Sequence, residues 1–204
     1  MPGYRHFLQS RLGIKDNVDS FIEQWFMQQR KFVFGSEYLP FREMLQKSLK
    51  LAVEKNRIAL PNAIENEDFL SIFSKIEPFP EVPAALRNLK NKAKVNILTN
   101  SDGYMLAPIL PKLGVHFDMV LSAETLRAYK PNRQAYQRAL DALAVPIEEI
   151  LFVSGTPWDI KAAENFGFAS AFVERRVLPP EAKPPAKYTL KNLGELVRIV
   201  TDAD

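Results

Sequence analysis

The chain has 204 residues, 47% hydrophobic, 25% charged and 11% aromatic, with 8 glycines. That profile fits one soluble globular domain, or a core with a small appended domain, and excludes disordered, collagen-like and repeat architectures. The 27 basic and 24 acidic residues, net charge +3, are interspersed rather than blocked, so no electrostatic stripe for nucleic acid forms. Zero cysteine excludes a disulfide framework, a thiolate nucleophile and thiolate metal sites. His6 and His116, far apart in sequence, supply a Ser–His–Asp triad or a histidine-rich metal site poorly and read as surface or packing residues. The first 16 residues contain no apolar targeting core, and no run approaches the roughly 20 apolar residues that cross a bilayer. The sequence therefore predicts a cytoplasmic protein with no membrane partner.

From Pro2 to about Ile76 the apolar residues recur at helical spacing. Phe21, Ile22, Trp25 and Phe26, continuing to Gln29, Phe32 and Val33, outline one stripe, and Phe41, Met44, Leu45, Ser48, Leu49 and Ala52 another. Asn17 and Asp19 precede the first stripe and Gly35 follows it; Pro40 opens the second, and Pro61 and Asn62 lie beyond its end. Trp25, Phe26 and Phe32 read as helical core rather than a substrate cage.

From Pro80 onward the pattern changes to short β-branched runs separated by helices. Strands are predicted at Val95 to Leu98, Met119 to Leu121, Ile150 to Val153 and Ala171 to Val173, and helices at Pro83 to Leu89, Tyr104 to Leu113, Asn132 to Leu143 and Pro157 to Phe166. Short strands apolar on both faces and alternating with helices imply right-handed crossovers and a parallel sheet. Val177 to Lys187 holds four prolines and reads as a stiff surface connection to a strand near Thr189 and a helix over Leu193 to Val200. The predicted fold is α/β, a Rossmann-like parallel sheet core over residues 79–204 preceded by a helical domain over residues 1–78.

Ligands of open parallel sheets bind beyond the carboxyl ends of the strands. The residues there form a polar set: Thr99, Asn100, Ser101 and Asp102; Ser122 and Glu124, followed by Lys130; then Ser154, Gly155, Thr156 and, one turn into a helix, Asp159. A hydroxyl, a lysine and a carboxylate converge on one edge. Read without further context, Lys130 is a solvated lysine ahead of a proline, Asp159 a first-turn acid, and Ser154 or Thr156 a helix cap.

The strings ILTNSD, AYKPNRQAYQRAL and LFVSGTPWDIKAAENFGFASAFVERR resemble motifs two, three and four of the haloacid dehalogenase superfamily. With PFPEVPAALRNLK, they look like its 2-haloacid dehalogenase branch, over about Pro78 to Arg176, with the helical half resembling that family's cap. The resemblance implies catalytic roles for Lys130, Ser154 and Asp159: the lysine offsets the charge of the reacting carboxylate, and the hydroxyl and acid orient the lysine and the hydrolytic water. It implies substrate contacts from Thr99, Asn100 and Tyr136, the last of which could equally just pack on its helix, and from Thr156, where the family usually has asparagine. Superfamily phosphatases hold magnesium with two acids in motif four; the first would fall at Gly155, which favours the metal-independent branch. No metal and no cofactor are expected, the substrate is a small carboxylate, and a homodimer is left open.

Two departures stand out. The family's nucleophile is an aspartate ending a first strand, attacking the substrate to give an ester that water opens. Residues 1–16 contain no such motif, so these residues are expected to lack the central strand and its turnover. That strand lies between those ending at Thr99 and Ser154, which would then pair directly, capture another segment, or leave a poorly folding chain. The cap arginine that grips halide is likewise unmatched: Phe32 lies near its place, with Arg30 and Arg42 nearby. The competing reading is a truncated or degenerate relative that binds a small anion or a protein without turnover. A flavodoxin-like module is disfavoured because no glycine-rich phosphate loop follows a strand.

Overall fold

The computed structural model describes residues 2–35, 37–58 and 66–201. Four helices come first: α1 Pro2–Arg11, α2 Val18–Val33, α3 Phe41–Lys55 and α4 Asn66–Ser74. Both apolar stripes face inward as their spacing predicts. Phe21, Ile22 and Trp25 of α2 and all six positions of the α3 stripe are buried. Pro40 caps α3 at its start, whereas Pro61 and Asn62 lie outside the described residues. Trp25 is fully buried among Tyr4, Phe7 and Phe69, and its indole N–H donates to the Ser48 hydroxyl at 2.9 Å, so the one polar atom of the ring is satisfied inside the core.

The rest alternates: α5 Val82–Lys90, β1 Asn96–Thr99, α6 Gly103–Leu106, β2 Met119–Ser122, α7 Ala123–Leu126, α8 Arg133–Leu143, β3 Leu151–Ser154, α9 Pro157–Phe166, β4 Ala169–Val173, β5 Tyr188–Leu190 and α10 Leu193–Thr201. The stretch from Tyr104 to Leu113, expected as one helix, is instead the short α6 and a separate 3-10 turn at Leu110–Leu113. Pro108 and Pro111 lack the N–H groups that would continue the ladder, and the chain kinks between them. The proline-rich segment carries a further 3-10 turn at Pro180–Ala182.

All strand pairs are parallel, with β1 beside β2 and, separately, β3-β4-β5. Among the described residues no strand precedes β1, and β1 and β3 share no ladder, so direct pairing of these two strands is not what the chain does. The two sheets nevertheless adjoin: Leu98 of β1 packs both on the Tyr136, Phe152, Ile160 cluster and on the Leu121, Leu126, Ala139 cluster. Strand β1 is half-buried along its whole length and Val153 of β3 is exposed; a parallel sheet ordinarily buries such strands on both faces.

The helical half and the tips of β1 and β2 share one core, in which Met105, Ala123 and Tyr129 pack with the α1 to α4 residues. Polar ties reinforce this seam. Arg42 Nε donates to Asp102 Oδ2 at 2.9 Å, the Tyr129 hydroxyl donates to the Leu39 carbonyl at 2.6 Å, and the Arg127 guanidinium lies over the Tyr38 ring.

At the other crossing, Arg175 donates to Glu81 at 2.6 Å and lies over the Phe79 ring. Burial pulls the Glu81 carboxyl upward, but the Arg175 hydrogen bond and nearby backbone N–H groups outweigh it and hold the group below its ordinary 4.5. Lys90 and the Val95 N–H do the same to Asp118, below its ordinary 3.8. Acids with lowered folded-state values stabilise above their ordinary range, and that contribution is lost as pH falls through it. The melting temperature is therefore expected to drop below about pH 4.5, with a shallower acid slope in Glu81→Gln; an identical slope in a thermal series from pH 6 to 3 would remove Glu81 from the account.

Candidate active site

Lys130 links the carboxyl ends of β1 and β3: Asn100 holds its backbone and Asp159 its ammonium. Asp159 sits in the first turn of α9, which Pro157 starts with its preset backbone angle, and where a carboxylate also meets the positive end of the helix. Lys130 leaves the loop between α7 and α8 and donates from Nζ to Asp159 Oδ2 at 2.8 Å, with 6% and 7% of the two residues exposed. The ammonium also stands 5.2 Å from the centre of the Phe152 ring. The Ser154 hydroxyl donates to the same Oδ2 at 3.1 Å and accepts the Thr156 N–H. Lysine, acid and hydroxyl thus converge on one oxygen, and the solvated-lysine reading of Lys130 does not hold.

The second oxygen of Asp159 and the hydroxyl of Tyr136 are both buried and bonded to no third group, and the phenol lies close enough to Asp159 to be its weak donor. Burial first, and then the charge of Asp159, push the Tyr136 hydroxyl above the ordinary phenol range, so at neutral pH it remains an O–H donor. Tyr136 also packs on Phe152, Phe166 and Phe168, so packing and proximity to the site coincide.

On the β1 side, Thr99 ends the strand and its hydroxyl accepts the Ser101 N–H at 3.1 Å. The Asn100 side chain reaches the Lys130 backbone. Asp102 caps α6, accepting the Met105 N–H at 2.8 Å, and binds Arg42 with its other oxygen. Thr156 caps α9 in position without a side-chain cap bond, so its hydroxyl is not committed to that role. Of the two arginines near the family's halide position, Arg30 is exposed at the end of α2 and Arg42 is held by Asp102 and over Tyr104. The Arg42–Asp102 pair spans 60 residues, with no local spacing to announce it. Trp158, half exposed, directly precedes Asp159.

A wider concavity of about 540 Å³, lined by Asp16, Asn17, Gln24 and Asn56 among others, belongs to the helical half and contains none of the converging residues. The buried charge, not the volume, marks the candidate site. Among the described residues no cluster of three or more His, Asp or Glu that could hold a metal is present, and no helix is long and apolar enough to cross a membrane.

The sequence model of haloacid dehalogenase-like hydrolases matches residues 2–167. The chain belongs to the haloacid dehalogenase-like hydrolase family. Within it the similarity is to the 2-haloacid dehalogenase type. The chain is 31% identical over 164 residues to (S)-2-haloacid dehalogenase 4A of Burkholderia cepacia, spanning 78% of this chain and 71% of that protein. It is 35% identical over 106 residues to haloacetate dehalogenase H-2 of Moraxella sp. (strain B), covering 50% and 47% of the two chains, so the match spans about half of that relative. The L-2-haloacid dehalogenase of Xanthobacter autotrophicus shares the fold with a TM-score of 0.80 at 21% identity, covering 98% of this chain and 93% of that one.

Proposed function

We propose that this chain forms the site of a hydrolase that removes halide from short 2-halo carboxylic acids, with residues 1–78 as a helical cap over a core of residues 79–204. The observation that carries this reading is the buried Lys130–Asp159 pair with Ser154 on the same oxygen, at the carboxyl edge of a parallel sheet. In it Lys130 stabilises the negative charge of the reacting groups, and Asp159 and Ser154 orient that lysine and the attacking water. Thr99 and Thr156 offer hydroxyls to the substrate carboxylate, and Tyr136 donates from beside Asp159. Gly155 supports hydrolysis of carbon–halogen bonds over phosphate esters: a side chain there would bring its Cβ to 3.3 Å from the Val173 carbonyl and 3.8 Å from the Arg175 stem, a poor place for a second metal-holding acid.

The route requires a carboxylate nucleophile that forms an ester with the substrate carbon as halide departs, followed by hydrolysis of that ester. Both buried acids near the site are committed, Asp159 to Lys130 and Ser154, and Asp102 to Arg42 and the Met105 N–H. The nucleophile in this reading comes from a strand between β1 and β3, and the 204 residues alone do not turn over. Chloride release from 2-chloropropionate tests this in two forms of the protein, the 204 residues as they stand and the same chain extended upstream by a strand ending in aspartate. Turnover is expected in the extended form alone, lost by several orders of magnitude in its Lys130→Ala variant. Enzyme-like release by the unextended chain, abolished by Lys130→Ala, would overturn the assignment and make Asp102 the first nucleophile to test. No release by either form would favour the second reading, a relative that binds a small anion without turnover.

A further inference from the structure

Nothing in the ion pair itself explains why Lys130 arrives at Asp159. The lysine sits in a loop between α7 and α8, on the β2 side of the molecule, while Asp159 follows β3 in the other sheet. A lysine side chain has four rotatable methylenes, so its ammonium stays in one place only if its backbone is held. One side chain does that. Asn100, the first residue after β1, donates from Nδ2 to the Lys130 carbonyl at 2.8 Å and accepts the Lys130 N–H on Oδ1 at 2.7 Å.

We propose that Asn100 is a positioning residue, acting through the backbone of Lys130 to aim the ammonium at Asp159. The proposal rests on the reading of Lys130 as the cation of the site. Both hydrogen bonds lie within the geometry of good amide pairs, and they fix the amide's orientation. A flipped side chain would set its NH₂ against the Lys130 N–H and its oxygen against the carbonyl. Few side chains can substitute. Aspartate keeps the acceptor but turns a charged oxygen toward the Lys130 carbonyl, alanine loses both bonds, and glutamine is one methylene too long for the same closure. The asparagine thus works from β1 on a residue 30 positions away, and it does so without committing any atom of the lysine side chain. The adjoining Tyr129 hydroxyl, bound to the Leu39 carbonyl at 2.6 Å, ties the same loop to the helical half, so Lys130 is held from both sides of the seam.

The test reads the position of Lys130 directly and uses no halo acid. The 204-residue protein is treated with trinitrobenzenesulfonate, and the modification rate of each lysine is followed by peptide mapping in the unaltered protein, Asn100→Ala and Asn100→Asp. In Asn100→Ala, Lys130 is expected to react about tenfold faster, because its backbone loses both anchors. Lys90 and Lys112 should stay within about twofold in the same sample. They are internal controls: Lys90 pairs with Asp118, which holds the Val95 N–H at the start of β1, and Lys112 holds the Ser74 and Ile76 carbonyls. General loosening of β1 would accelerate Lys90 as well. Asn100→Asp, close in shape, sets a carboxylate oxygen against the Lys130 carbonyl in place of the N–H, so it should react at least as fast as Asn100→Ala. A Lys130 rate within twofold of the unaltered protein in folded Asn100→Ala, or a parallel rise of Lys90, would overturn the proposal. Should Asn100→Ala not fold, Asn100→Asp decides by the same comparison. The result is independent of turnover, so a protein that releases no halide still answers it.

Discussion

Replacing Lys130 by methionine is expected to remove about 3–5 kcal/mol of folding stability, because it leaves the Asp159 carboxylate buried with one hydroxyl as its remaining side-chain donor. Against a typical total of roughly 5–15 kcal/mol, that is a large share. The cost belongs to the orphaned charge rather than to the lost attraction, and a second substitution separates the two. Adding Asp159→Asn removes the charge while an amide can still accept from Ser154, and the double variant should recover at least half of the loss. Urea unfolding of the four proteins at neutral pH measures the cycle. A cost for Lys130→Met below about 1 kcal/mol, the range of exposed pairs, would mean that water reaches the pair and that the site is not the closed, low-dielectric one described here.

The sheet and its site were legible for different reasons. The strands of the second half announced themselves by β-branched runs such as Val95 to Leu98, and the helices by the spacing of residues such as Met44, Leu45, Ser48 and Leu49, because burial on a face imposes a period on the sequence. Boundaries moved by one or two residues. The helix at Tyr104 to Leu113 failed where Pro108 and Pro111 outweighed the apolar period. Lys130, Ser154 and Asp159 were singled out by the motif resemblance, their place beyond strand tips alone being compatible with a solvated lysine, a helix cap and a first-turn acid. Their convergence on a single carboxylate oxygen was not legible, since hydrogen-bond partners 29 residues apart leave no spacing to read. The same holds for Arg42 with Asp102 and for Asn100 with the Lys130 backbone. Asn100 reads as a substrate contact from the resemblance alone; only coordinates reveal that one N–H and one lone pair of its amide also hold the Lys130 backbone.

A change in melting temperature of comparable size is expected from the sheet edges. Among the described residues strands β1 and β3 each have a ladder partner on one side only, β2 and β4, although both carry the apolar residues of interior strands. A strand placed between two edges needs a separation of about 9.6 Å, twice the ladder spacing of about 4.8 Å, and would satisfy backbone groups of both neighbours. It would also cover Val153 and the half-buried length of β1. With each hydrogen bond worth roughly 0.5–1.5 kcal/mol net, four such bonds give about 4 kcal/mol before any apolar burial. For a chain of 150–250 residues each kcal/mol moves the melting temperature by roughly 2–4 °C, so an added strand should raise it by about 8–16 °C. The 204-residue chain, in which the β1 and β3 edges lack ladder partners among the described residues, should also associate as its concentration rises, through the backbone groups that the added strand would occupy. Thermal unfolding of the chain with and without an upstream VLFDVYGTL extension, alongside light scattering over a tenfold range of concentration, measures both effects. Because the same extension with its aspartate changed to asparagine should melt at nearly the same temperature yet release no halide, the experiment separates the strand's part in the sheet from its part in the chemistry. Equal melting with and without the strand would show that β1 and β3 need no common neighbour.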